Sequence, residues 1–121
     1  MKKWWVGALL ITVLAACGLK TETFTEIYGK SMKDVTEIVI TRGDGRTKTL
    51  NSSQAREFLN GIKTISFVPD KNQEKGAGYA YAFDLYEGEE KTLSFTTNRI
   101  NDYNYHSDPD LVKFVDGVWN K

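Results

Sequence analysis

A chain of 121 residues with one cysteine has room for one small domain and forms no disulfide within itself. Its 16 basic and 16 acidic residues balance, so there is no cationic excess to hold a polyanion, and nucleic acid is not an expected partner. Aromatic residues make up 12% of the chain and supply large buried area each, which suits a core that has no covalent staple.

Taken from the start, Lys2 and Lys3 precede a short apolar run from Trp4 to Leu14, and small residues follow. That is the three-part layout of a secretory signal. The run is about a dozen residues, short of the roughly 20 that a spanning helix needs. Trp4 and Trp5 stand where amphipathic rings suit a membrane interface. Leu14-Ala15-Ala16-Cys17 then resembles the lipobox of bacterial lipoproteins. The resemblance implies cleavage before Cys17 and a diacylglyceryl group on its thiol, so Cys17 is the expected lipidation site. It implies a signal peptide over 1–16, and a protein held at the extracytoplasmic face of the cell membrane. Two acyl chains suffice for stable anchoring where one does not. The same acylation would leave the exported part with no free thiol.

Residues 17–33 read as a lipidated tether, rich in Thr, Glu, Lys and Gly. As a flexible coil of about 15 residues it would span roughly 20 Å on average. Phe24, Ile27 and Tyr28, spaced i, i+3, i+4, could form one amphipathic turn docking on the domain or on lipid headgroups, so the tether is expected to be loose and to dock in part.

The folded domain is expected over 34–121. Val35 to Thr41 is β-branched and reads as a strand with Ile38 and Ile40 on one face. Gly43-Asp44-Gly45 is a turn, and Arg46 to Leu50 returns as its partner. Asn51 with Gln54 three residues on forms a capping box, opening a helix whose Ala55, Phe58, Leu59 and Ile62 share a face. Gly61 weakens its last turn. Ile65 to Val68 is a further strand ended by Pro69. Asp70 to Gly78 is a polar loop. Tyr79, Tyr81, Phe83 and Leu85 then alternate with smaller or polar residues, predicting a strand with all four on the core side. Glu87 to Glu90 makes a turn, and Lys91 to Thr97 returns with Leu93 and Phe95 inward. Ile100 to Tyr105 predicts one short, irregular strand. Asp108 is read as the cap of a last helix with Pro109 at its first position, and Leu111, Phe114, Val115 and Val118 mark the buried face.

These elements predict an α+β domain: a mainly antiparallel sheet with two amphipathic helices packed on one face. The size, the element order and the Tyr-rich strand resemble small surface lipoproteins of Bacillus and its relatives. That resemblance carries no functional residues.

Candidate chemistry is sparse. His106 is the only histidine, beside Ser107 and near Asp102, Asp108 and Asp110. It reads as a loop imidazole, not as a catalytic base or metal ligand. Asp102, Asn104, Asp108 and Asp110 offer hard oxygens but not in EF-hand order, and no metal site or cofactor is expected. Glu87, Glu89 and Glu90 read as a solvated turn, not a carboxylate pair flanking a cleft. Gly76-Ala77-Gly78 lacks the rest of any phosphate-cradling motif. Tyr86, Tyr103 and Tyr105 are the candidate partner-binding residues, because exposed tyrosines make large, rigid contact surface. The expected role is a monomeric, non-catalytic binding module for an envelope protein, wall component or small ligand. The alternative is an inhibitor or immunity-type lipoprotein that blocks an extracellular enzyme or toxin. No enzymatic activity is expected.

Overall fold

A computed structural model of the chain describes residues 19–74 and 78–120. The signal, Cys17 and the pair Gly76-Ala77 lie outside the described residues. The chain forms β1 (Glu22–Thr23), α1 (Phe24–Tyr28), β2 (Glu37–Arg42), β3 (Thr47–Leu50), α2 (Ser52–Ile62), β4 (Ser66–Pro69), β5 (Tyr81–Glu87), β6 (Glu90–Thr96), β7 (Arg99–Ile100), β8 (Tyr103–Asp108) and α3 (Leu111–Trp119). The strands make one eight-stranded sheet in the order β1-β4-β8-β7-β6-β5-β2-β3, and every adjacent pair runs antiparallel. The α+β class with a mainly antiparallel sheet is therefore as the sequence predicts.

The centre of the sheet follows from alternation. Tyr81, Phe83 and Leu85 on β5 are buried, and so are Ile38 and Ile40 on β2 opposite Leu85 and Phe83. Phe95 on β6 pairs with Phe83, their rings stacked 4.7 Å apart. All six phenylalanines join one aromatic chain through the core. Phe114 meets Phe58 at 5.5 Å, and Phe58 meets Phe83 at 5.8 Å. Phe95 then meets Phe24 at 5.4 Å, and Phe24 meets Phe67 at 5.8 Å. Such tilted and offset pairs each contribute about 0.5–1.5 kcal/mol beyond their buried area.

Helix α2 starts where its cap predicts. Asn51 Oδ1 accepts from the Gln54 amide at 2.9 Å and Gln54 Oε1 accepts from the Asn51 amide at 2.9 Å. Ala55, Phe58, Leu59 and Ile62 are buried. Gly61, which costs helix propensity, has the Phe114 ring packed on it in the space a β-carbon would occupy. The local weakness is thus the condition for close α2–α3 approach.

Four sequence expectations are corrected. The tether is part of the fold from Glu22 onward. β1 pairs with β4, and a capping box between Thr23 and Glu26 starts α1. Phe24 is 0% exposed, because an aromatic ring at this point fills the space between Phe67 and Phe95. The cap of α3 is Asp110 rather than Asp108. Asp108 is used in the sheet opposite Ser66, so the next acid accepts from the Val112 amide. Tyr79 is 42% exposed rather than core, because the β5 ladder begins only at Tyr81. The Ala80 carbonyl accepts from Gly43 instead, and a β-carbon on Gly43 would stand 2.7 Å from the Tyr79 carbonyl oxygen. The irregular strand of 100–105 is two strands, joined by Asn101 and Asp102, both at positive φ as a tight hairpin requires.

A bulge between β5 and β6 sets Thr92 apart from the pairing, since Leu85 faces Leu93 but Tyr86 faces Lys91. The Tyr28 hydroxyl lies 2.6 Å from Thr92 Oγ1 and donates to Glu87 Oε2 at 2.6 Å. Lys30 reaches the other oxygen of Glu87 at 3.1 Å. Glu87, expected as part of a solvated turn, is therefore a clamp that holds α1 and the segment after it. These bonds, Tyr28's first, hold its carboxyl below the usual range.

Burial, then the bond to Glu87, pushes the Tyr28 phenol up to about 12. Burial, then a 2.6 Å bond to Asp116, pushes the Tyr81 phenol up to about 12 as well. Unfolded phenols titrate near pH 10. The fold keeps these protons longer than the unfolded chain does. The resulting stabilisation is complete below about pH 10 and is lost as pH rises toward about 12. Thermal melts across that window should show a steep fall in Tm, and Tyr81→Phe should make it shallower. Equal slopes in the two proteins would show that the Tyr81 phenol is not coupled to folding.

Candidate functional site

The alternation that buries Tyr81, Phe83 and Leu85 sends Ala82, Asp84 and Tyr86 to the opposite face of β5. Their neighbours across the β5–β6 pairing are Thr96 and Ser94, with Lys91 past the bulge. This face is small, hydroxylated and charged. Ser94 Oγ donates to Asp84 Oδ1 at 2.6 Å, Lys91 Nζ is 3.8 Å from the same oxygen, and Lys91 lies 6.0 Å from the centroid of the Tyr86 ring.

Two adjoining clefts open here, and both are lined by Thr96 and Arg99. The first is about 430 Å³, with Asp70, Glu74, Asn98 and Tyr79 at its walls. The second is about 470 Å³, over Ala82, Asp84, Ser94 and Asp102. Both are of ligand size. Arg99 stands between them, donating from Nη1 to Asn104 Oδ1 at 2.6 Å and from Nη2 to the Asp102 carbonyl at 3.0 Å.

The walls of the first cleft are fixed by backbone-directed amides. Asn104 Nδ2 donates to the carbonyls of Glu74 at 2.6 Å and Asn72 at 3.2 Å. Its backbone amide donates to Gln73 Oε1 at 2.7 Å. Gln73 Nε2 donates to the Asp70 carbonyl at 2.6 Å and the Asn104 carbonyl at 2.9 Å. Asn98 Nδ2 donates to the Gly78 carbonyl at 3.0 Å. The 70–74 loop is thereby locked to the two arms of the β7–β8 hairpin around the Arg99 guanidinium. A site held this way meets a ligand with little reordering.

The three candidate tyrosines part company. Tyr86 is half-buried on the polar face of β5. Tyr103 and Tyr105 are 6% and 2% exposed and are corrected to core. They point inward because β8 pairs with β4 over Tyr105 to Asp108, and the Tyr105 ring lies 4.6 Å from that of Phe67. Burial raises the Tyr105 phenol, whose hydroxyl donates to the Thr96 carbonyl at 2.6 Å. Burial, then the charge of Glu22, raises the Tyr103 phenol. Its buried hydroxyl has no hydrogen-bond partner among the described residues.

His106 is on β8, not in a loop, with Nδ1 2.8 Å from Asp70 Oδ1 at the surface. Ser107, its neighbour, uses Oγ to accept from the Leu111 amide at 2.8 Å, which places that hydroxyl in the start of α3. Among the described residues, no group of three or more His, Cys, Asp or Glu side chains is placed to hold a metal ion.

A third recess, about 690 Å³, lies between α2 and α3 over Leu50, Phe58, Phe114 and Val118. Lys48 at its edge donates to the carbonyls of Val118 at 3.4 Å and Trp119 at 3.2 Å, capping the end of α3.

Sequence reasoning missed Arg99 and its amide partners. The available signal was the run of Asn and Gln at 72, 73, 98, 101 and 104, side chains that hydrogen-bond backbone in loops and turns. No protein-family model, curated protein or solved structure matches this chain.

Proposed function

We propose that this protein is a lipid-anchored module at the extracytoplasmic face of the cell membrane. It binds its partner on the polar face of the sheet and does no chemistry of its own. The observation that carries the binding role is the locked wall of amides around Arg99, which builds a ligand-sized cleft between the 70–74 loop and the β7–β8 hairpin. The address rests on Lys2-Lys3, the apolar run and Leu14-Ala15-Ala16-Cys17. Among the described residues no helix is long and apolar enough to cross a membrane. In this reading α2 and α3 both cover the Phe83 side of the sheet, which leaves the other side for a partner. The contacts of Phe58 with Phe83 and of Trp119 with Tyr81 support that arrangement.

Mass spectrometry of the membrane-extracted protein should find an N-terminus at Cys17 carrying acyl chains, and Cys17→Ala should abolish the modification. A mature protein with an unmodified thiol at this position would sink the anchor. The binding role is tested by photo-crosslinking in intact envelopes. A crosslinker at Tyr86 or Ser94 should give adducts that one at Glu57, on the helical side, does not. Adducts from Glu57 alone would overturn the assignment of the face. One dominant protein adduct at Tyr86 would assign the inhibitor or immunity-type role.

A further inference from the structure

The clefts around Arg99 carry information about ligand charge. Among the described residues that line them, each sets the Arg99 guanidinium against two acidic residues, Asp70 and Glu74 in the first and Asp84 and Asp102 in the second; Asp70 also has His106 Nδ1 at 2.8 Å, and Asp84 has Lys91 Nζ at 3.8 Å. A phosphate or carboxylate ligand paired with Arg99 would sit beside two like charges. A cation drawn to the acids would face Arg99, which is held in place by Asn104 and Asp102. An apolar ligand would strip water from all three charges with nothing to replace it.

A neutral ligand with neighbouring hydroxyls meets every demand at once. A hydroxyl both donates and accepts, so one can give its proton to Asp70 or Glu74 while another accepts from Arg99. The guanidinium has five N–H donors, and the two bonds to Asn104 and Asp102 leave others for a ligand. Tyr79 also lines this cleft, and it is one of two large hydrophobic residues exposed among the described residues. Its ring offers a flat apolar surface beside a polar floor, suited to a molecule with one C–H face and a belt of hydroxyls.

We propose that the first cleft, lined by Arg99 and Tyr79, binds a neutral glycan. This rests on the binding-module reading and names the ligand class for that site.

The test is a titration of the full lipidated chain in nanodiscs, followed by backbone amide NMR. The probes are triacetylchitotriose, maltotriose and inorganic phosphate. At least one trisaccharide should give saturable shifts at Asn98, Arg99 and Asn104 with a Kd on the order of 1 mM. Tyr79→Ala should weaken that binding roughly five- to tenfold with an unchanged Tm, since the side chain is exposed. Glu74→Gln, which keeps the shape and loses the charge, should weaken the sugar. Neither trisaccharide moving these amides would overturn the proposal. So would sugar binding indifferent to Tyr79→Ala, or phosphate shifting these residues in place of sugar. The glycan proposal can fail in this way while crosslinks from Tyr86 persist, and then the module binds something else. Loss of those crosslinks would instead remove the binding reading itself.

Discussion

A chain that begins at Val35 should fail to fold. It would lack β1 and α1, and with them Phe24, which touches both Phe67 and Phe95 and sees no solvent. It would also lack Tyr28, whose hydroxyl ties α1 to Glu87 and Thr92. The Phe24 and Thr25 amides donate to the Ile65 and Lys63 carbonyls, so the segment closes the end of α2 as well. Phe24→Ala alone should cost about 3–5 kcal/mol. A domain of this size has roughly 5–15 kcal/mol in all. Losing the ring, the β1–β4 pairing and the Tyr28 bonds together exceeds what such a fold can spare. Amide NMR of the truncated chain should show collapsed dispersion, and urea melts of Phe24→Ala should show a large drop in midpoint. A dispersed spectrum with a wild-type midpoint would mean that the early segment only rests on the domain.

Phe83→Ala should be comparably severe. Phe83 is 1% exposed and central to the aromatic chain, with Phe95 on one side and Phe58 on the other. It also faces Ile40 across the β2–β5 pairing. Removing the ring leaves a cavity between sheet and α2 that rigid strands cannot close, and the cost should be about 3–5 kcal/mol. Chemical denaturation with an unchanged m-value would read this directly. A midpoint near wild type would show that the Phe83 side is not the core side.

The parts legible in the sequence are those governed by neighbours along the chain. The alternation through Phe83 and Leu85, the spacing of Ala55 to Ile62 and the Asn51–Gln54 box each needed one short window. The misreadings concern pairing at a distance. A two-residue β1 has no period to detect, and Phe24 is core only because Phe67 and Phe95 come to it. Tyr103 and Tyr105 showed the right spacing, but the face they occupy is decided by β4, more than thirty residues earlier. Tyr79 extended a correct alternation past the point where Ala80 turns to bond Gly43. The Arg99 cleft left only its Asn and Gln residues as a signal, because its walls meet only when the 70–74 loop folds onto the β7–β8 hairpin.

The early start of the fold shortens the leash. With acyl chains on Cys17, as proposed, only Gly18, Leu19, Lys20 and Thr21 separate the anchor from the first paired residue, Glu22. Drawn out fully, five backbone steps reach about 18 Å. A body of about 100 residues has a radius of gyration near 13 Å. The domain is then confined to the headgroup layer and its immediate surroundings, where a coil through Lys33, drawn out fully, would have reached about three times as far. Anything it binds has to come down to the bilayer, which selects for partners embedded in the membrane, tethered to it, or passing through it over those at the outer reaches of the envelope.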